Sequence, residues 1–214
     1  MTDPILFGAA YSVYVRAARL ALEEKRVRYR LVEVDVFAPD GPPADYLERQ
    51  PFKRIPAFEH DGFRLYETGA ITRYIDEGFA GPPLMPSAPR ARARANQIIS
   101  IIDNYGYRPL IWDIFVERVR APAQGRNADE AKIAAARPSA ALCLQTLNDL
   151  AESEGPYLTG TAISLADLHL APMVAYLAMA KEGAALLAAQ PRLSRWWQAM
   201  RERPSIAATR SPLE

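Results

Sequence analysis

Two hydrophobic periods divide this chain. Ile5-Leu6-Phe7 is a short apolar run, and the residues after it change spacing: Val13, Ala17, Leu20 and Ala21 fall on one helical face, with Arg16, Arg19, Glu23 and Glu24 off it. The pattern predicts a strand, a tight loop over Gly8–Ser12 and a helix reaching Lys25. Leu31-Val32-Glu33-Val34-Asp35-Val36 then alternates as a strand does, and a strand–helix–strand crossover implies parallel pairing. Pro39-Asp40-Gly41-Pro42-Pro43 is too proline-rich for a regular helix. Ala57–His60 and Phe63–Tyr66 flank Asp61-Gly62, a strong hairpin signal. A helix follows from about Thr68 to Phe79, with Ile71, Tyr74 and Ile75 facing inward. This order predicts a small α/β domain with a mixed sheet over residues 1–80. Gly81-Pro82-Pro83-Leu84-Met85-Pro86 suits neither helix nor strand, so 81–88 reads as a linker.

From residue 89 to 214 the spacing is helical and no strand pattern stands out. Gln97, Ile98, Ile101, Ile102 and Tyr105 share a face, and Pro109 should kink or interrupt that long helix. Asn127 and Glu130 are spaced as an N-cap and its partner, opening a helix to about Ser153. Ser164-Leu165-Ala166-Asp167 has the same form and precedes Leu168, Ala171, Met173, Ala175, Tyr176 and Met179. A further helix near Leu193–Met200 carries Trp196 and Trp197. The expected fold is therefore α/β followed by all-α.

Composition narrows the function classes. With 26 basic and 25 acidic residues the net charge is +1, which gives no reason to expect nucleic acid or an acidic membrane as partner. No apolar run approaches a membrane span, and the first residues show no basic region followed by a long apolar one. A cytoplasmic protein is expected. Cys143 is the only cysteine, which excludes an internal disulfide and any Cys-x-x-Cys pattern. It falls in an Ala- and Leu-rich helical run, as an inert small apolar residue does. His60 and His169 lack neighbours at ligand spacing, so no metal is expected.

Three short stretches carry candidate chemistry. Ser12 stands where a helix begins, Ile55-Pro56 precedes a strand, and Glu67-Thr68 opens a helix. Each has a plain structural use: an N-cap, an ordinary X–Pro bond, a favourable charge at a helix start. Taken together, they all lie beside strand ends or helix N-termini, where backbone N–H groups can receive an anion.

These same residues carry a resemblance. Leu6-Phe7-Gly8 with Ser12 and Arg16, Leu20–Lys25, Pro51-Phe52 with Ile55-Pro56-Ala57-Phe58, and Tyr66-Glu67-Thr68 with Ala70-Ile71 resemble the thioredoxin-like N-terminal domain of glutathione S-transferases, of the phi-like serine type. Tyr157–Gly160, Ser164–Leu168, Trp196-Trp197 and Arg203-Pro204-Ser205 match the helical part, so the likeness spans nearly the whole chain. It implies a glutathione-binding domain (1–80) and a helical domain (89–214) that completes an electrophile site. It also implies glutathione as co-substrate and Ser12 as the catalytic donor to its sulfur. Ile55, before a cis Pro56, would pair with the cysteinyl part, and Glu67 and Thr68 would hold the γ-glutamyl end. Arg16 would add positive potential or serve only in an ion pair. The electrophile pocket would draw on Tyr11, Tyr14, Tyr107, Ile111, Trp112 and Tyr176, with Tyr11 a rival to Ser12 as the sulfur's donor. Phe52 implies a homodimer interface.

The pattern departs from the family at one end of the tripeptide. Where phi-type proteins carry a His-Lys pair for the glycyl carboxylate, this chain has Gly41 and Pro42, and Lys53-Arg54 replaces the Gly-Gln before the cis-proline dipeptide. Lys53 or Arg54 is a candidate substitute for that carboxylate contact, against a solvated surface pair. The expected activity is thiolate attack on small hydrophobic electrophiles, with peroxide reduction in the same range. The alternatives are glutathione-dependent isomerisation or dehalogenation, and a transferase-fold binding module without catalysis.

Overall fold

The computed structural model describes residues 2–214. It divides into two compact units, one of residues 1–84 with 204–214, the other of residues 85–203.

The first unit is built on β1 (Ile5–Phe7), α1 (Val13–Glu24), β2 (Arg30–Val32), β3 (Ala57–His60), β4 (Phe63–Tyr66) and α2 (Thr68–Gly78). The four-stranded sheet has the order β2-β1-β3-β4. β1 and β2 are parallel, as the helical crossover requires, while β1–β3 and β3–β4 are antiparallel. β2 is shorter than its alternation suggests and stops at Val32. Asp61 and Gly62 turn the hairpin with φ of 48° and 80°, the left-handed pair that a two-residue connection needs. α2 ends at Gly78, close to the expected place, and packs on α1.

α1 departs from its amphipathic reading. Besides the expected apolar face, Arg16 is buried, at 2% exposure. The covering comes from α9 (Pro204–Ala208) and the residues after it: the Arg16 guanidinium donates to the Ile206 carbonyl at 3.2 Å, to Thr209 Oγ1 at 3.4 Å, and to the Glu214 carboxylate. Arg19 adds bonds to the carbonyls of Ala208 and Thr209. Residues 204–214, read from sequence with the helical part, thus group with the α/β unit.

The second unit is helical throughout. α3 (Pro89–Ile101) continues through π-wound turns at Ile102–Gly106 and Arg108–Arg120 into a short α4 (Ala121–Ala123). Pro109 therefore does not end the helix. The wider winding already begins at Ile102 and runs past the proline. α5 (Glu130–Leu150) is capped by Asp129, whose carboxylate accepts from the Lys132 N–H at 2.9 Å, two residues beyond the expected Asn127. α6 (Leu165–Leu177) is buried along its whole length, consistent with its all-round apolar surface. α7 (Lys181–Ala188) and α8 (Pro191–Arg201) complete the unit.

The Ser164–Asp167 capping box is present, and Asp167 does more than cap. Fully buried, it accepts from Ser164 N–H (2.7 Å), Ser164 Oγ (2.8 Å), Leu158 N–H (2.8 Å) and Trp196 Nε1 (2.8 Å). Burial pushes its carboxyl above the usual range, opposed by these donated bonds. Among the described residues, no helix is long and apolar enough to cross a membrane.

Candidate functional site

Sheet register brings the three stretches together. Phe7 pairs with Val32 on one side and Ala57 on the other, and Ala57 pairs with Tyr66. This row runs across one end of the sheet. Four segments leave from it: the Gly8–Ser12 loop after β1, the loop after β2, Ile55-Pro56 before β3, and Glu67-Thr68 after β4. Residues far apart in sequence thereby share one edge of the first unit.

The Ser12 turn is built by tight backbone approach. Gly8 has φ 151°, and a Cβ there would lie 2.4 Å from Val15 Cγ2 and 3.2 Å from Ile55 Cβ. Only glycine lets the loop close onto both the first turn of α1 and Ile55. Ser12 is the N-cap: its backbone is extended and its Oγ accepts from the Val15 N–H at 3.3 Å. That bond uses a lone pair and leaves the hydroxyl proton to be donated elsewhere.

Tyr11 differs from Ser12 in this respect. Its hydroxyl donates to Asp35 Oδ1 at 2.7 Å, and its ring stacks on Phe37 with centroids 6.3 Å apart. The same Asp35 oxygen accepts from the Phe37 N–H at 2.9 Å. Asp35 was not singled out from sequence, where it reads as a polar position in an alternating strand.

Ile55-Pro56 is a cis peptide bond. The backbone leading to it is held from below by two buried polar residues that the sequence reading missed. Gln50 Oε1 accepts from Phe52 N–H at 2.7 Å and Arg54 N–H at 3.2 Å, and the Tyr46 hydroxyl donates to the Arg54 carbonyl at 2.7 Å. Tyr46 packs with Val34 and Ala57, against Phe7, Val36 and Ile55, and burial pushes its phenol pKa up. A glutamine ahead of a proline-rich turn was the available signal for Gln50. Lys53 has φ 55°; Lys53 and Arg54 are both exposed and, among the described residues, make no ion pair.

Glu67 stands at the N-cap of α2 with φ 70° and ψ 116°, a region that costs a non-glycine residue about 1–3 kcal/mol. Its side chain makes no capping bond; the Ala70 N–H donates to the Glu67 carbonyl at 3.0 Å, which leaves the N–H groups of Gly69 and of the buried Thr68 at the helix start. The helix start combines unclaimed donors, the positive end of a dipole and an exposed carboxylate.

The remaining aromatic candidates fall in different surroundings. Tyr14 is half-buried in the first turn of α1. In the helical unit, Tyr107 and Trp112 are half-buried and meet edge to face at 6.4 Å. Ile111 is buried there, and Tyr176 lies flat on Phe115 at 4.2 Å with 3% exposure. Phe52 is 64% exposed and meets the edge of Tyr66. Cys143 is buried, which pushes its thiol up to about 11 and leaves it a poor nucleophile.

The mixed sheet, the cis-proline and the helical second unit define a thioredoxin-like domain joined to an all-helical one. The family model described as "Glutathione S-transferase, N-terminal domain" matches residues 6–83, and "Glutathione S-transferase, C-terminal domain" matches 102–204. A glutathione S-transferase of Hyoscyamus muticus is 31% identical over 208 residues, covering 94% of each chain. The crystal structure of glutathione transferase F7 from Populus trichocarpa is 30% identical with a TM-score of 0.84, covering 96% of this chain and 97% of that one. Glutathione S-transferase I from mais, in complex with an atrazine glutathione conjugate, is 25% identical with a TM-score of 0.82, covering 97% and 96%. This chain belongs to the glutathione S-transferase family, and relatives bearing the F designation agree with the phi-like resemblance of its residues.

Proposed function

We propose that this chain is a glutathione transferase in which Ser12 stabilises the glutathione thiolate for attack on small hydrophobic electrophiles. The single observation that carries the reading is the row Val32–Phe7–Ala57–Tyr66, from which all the stretches that hold the tripeptide depart. A free cysteine thiol has a pKa of about 8.5. A hydroxyl donor at the N-terminus of α1 favours the anion, so the Ser12 O–H donates to sulfur while its oxygen goes on capping the helix. The Ile55 backbone pairs with the cysteinyl residue. The N–H groups of Thr68 and Gly69 at the start of α2, with the Thr68 hydroxyl, receive the γ-glutamyl carboxylate, and Glu67 receives the ammonium. Lys53 and Arg54, exposed and with no ion pair among the described residues, take the glycyl carboxylate.

The chemistry is a displacement or addition at carbon. The thiol proton leaves to solvent, the S–C bond forms, and in displacement the halide departs with the electrons of its bond. The atrazine glutathione conjugate held by the mais protein supports halide displacement from an aromatic ring within this range. Tyr11 and Tyr14, flanking Ser12, are the electrophile contacts of the first unit. We place Phe52, exposed and leaning on Tyr66, at a homodimer interface.

The test is the titration of glutathione bound to the protein, followed by thiolate absorbance. The bound thiol is expected to ionise about 1–2 pH units below the free one, the equivalent of one charge-assisted hydrogen bond. Ser12→Ala should return it to the free value while Tyr11→Phe leaves it low. Tight binding with an unshifted thiol in the unsubstituted protein would overturn the catalytic role of Ser12.

A further inference from the structure

The loop after β2 is tied to the Ser12 turn by one carboxylate. Asp35 Oδ1 accepts from the Tyr11 hydroxyl at 2.7 Å and from the Phe37 N–H at 2.9 Å, and the Asp35 carbonyl accepts from Ala38 N–H at 3.4 Å. Asp35 thus opens a local turn with its own side chain and reaches across to the residue that precedes Ser12. The Tyr11 and Phe37 rings stack beside it, their planes 30° apart, with Phe37 57% exposed. The phenolic proton of Tyr11 is directed at the carboxylate, so Tyr11 presents carbon rather than a donor. Asp35 is itself exposed, which keeps its field in reach of an arriving molecule.

We propose that Asp35 is a positioning and specificity-determining residue: it holds Tyr11 and Phe37 as an apolar face with an anionic rim, so that the site takes flat, neutral or cationic electrophiles and discriminates against anionic ones. The inference rests on glutathione transfer at Ser12 and adds the charge class of the second substrate. A carboxylate or sulfonate on the electrophile meets a like charge at the rim, and like charges at this range repel in a salt-dependent way. The same carboxylate removes Tyr11 from competition for the sulfur, because a phenol already donating to a carboxylate has no second proton to give.

Two aryl chlorides that undergo the same displacement test this: 1-chloro-2,4-dinitrobenzene, which is neutral, and 4-chloro-3,5-dinitrobenzoate, which is anionic. In each, glutathione sulfur bonds to the ring carbon, chloride leaves and the thiol proton goes to solvent. The ratio of kcat/KM for the anionic to the neutral substrate is expected to rise about five- to tenfold in Asp35→Asn at low salt. Raising the ionic strength should narrow that difference. Asp35→Asn keeps an acceptor for Tyr11, and taking the ratio of the two chlorides within one variant cancels any change in glutathione binding or thiolate formation. Asp35→Leu removes the acceptor as well and should raise KM for both electrophiles. Turnover of the neutral chloride with an unchanged substrate ratio in Asp35→Asn overturns this proposal alone. Absence of glutathione-dependent turnover with either chloride in the unsubstituted protein overturns the transferase reading and this inference with it.

Discussion

Arg16, one turn beyond Ser12, donates to the carboxylate of Glu214 across nearly the whole length of the chain. Its side chain is 2% exposed and that of Glu214 17%. A guanidinium so buried needs a counter-charge, and removing only one partner of such a pair costs far more than replacing both. Glu214→Leu is therefore expected to destabilise the protein by about 3 kcal/mol in urea unfolding. Adding Arg16→Met to that variant should recover part of the loss. If the two single costs simply add, the two residues are not coupled as the structure has them.

Glu67 sits at φ 70° and ψ 116° ahead of α2. Relief of about 1–3 kcal/mol of backbone strain exceeds the roughly 0.5–1 kcal/mol entropic cost of a glycine. Glu67→Gly should therefore stabilise the free protein by about 1 kcal/mol, yet weaken glutathione binding by about tenfold or more through loss of the ammonium contact. Glu67→Gln keeps the strained backbone and should bring no stabilisation. Thermal melts and calorimetric titration of glutathione check both halves.

The exposed Lys53 and Arg54 make no ion pair among the described residues. Replacing both by methionine is expected to lower glutathione affinity about tenfold at low salt, with a smaller loss at high salt. The same change should leave affinity for the glycyl amide of glutathione unaltered. Equal losses for the acid and the amide would place the glycyl carboxylate elsewhere.

The helical unit carries its own acid sensitivity. Lys132 donates to Glu117 at 2.6 Å and holds its carboxyl below the ordinary 4.5. Arg118 does the same for Glu130; at Glu182 burial raises the carboxyl but the Arg118 bond and charge outweigh it. Folded-state values below the unfolded ones give a stabilisation that is complete above pH 4.5 and is lost as pH falls through the depressed values. Unfolding stability should drop steeply below about pH 4.5, and Lys132→Met with Arg118→Met should flatten that drop.

Much of the chemistry was legible before folding because it rests on local rules. Ser12 as an N-cap, the Asp61-Gly62 turn and the Ser164–Asp167 box each depend on neighbours a few residues away. The missed features are the long-range ones. Gln50 and Tyr46 support the backbone before Pro56 through bonds that spacing does not reveal. Asp35 looked like one polar position of a strand that in fact ends at Val32. Pro109 promised a kink or an interruption, and the chain runs past it in π-wound turns that begin at Ile102.

By itself the sequence determined the two periods of the chain, the places where helices start, the turn chemistry and the residue types around Ser12. Periodicity and capping act over a single turn, so they need no tertiary partner to be read. The tertiary structure decided the rest. Register alone lined up Phe7, Ala57 and Tyr66, since a sheet pairs strands by the fit of their side chains on the core face. It also turned Arg16 from a polar position on a helix into a buried cation, because residues 204–214 return to cover it. No window of sequence near Arg16 contains the carboxylate that neutralises it.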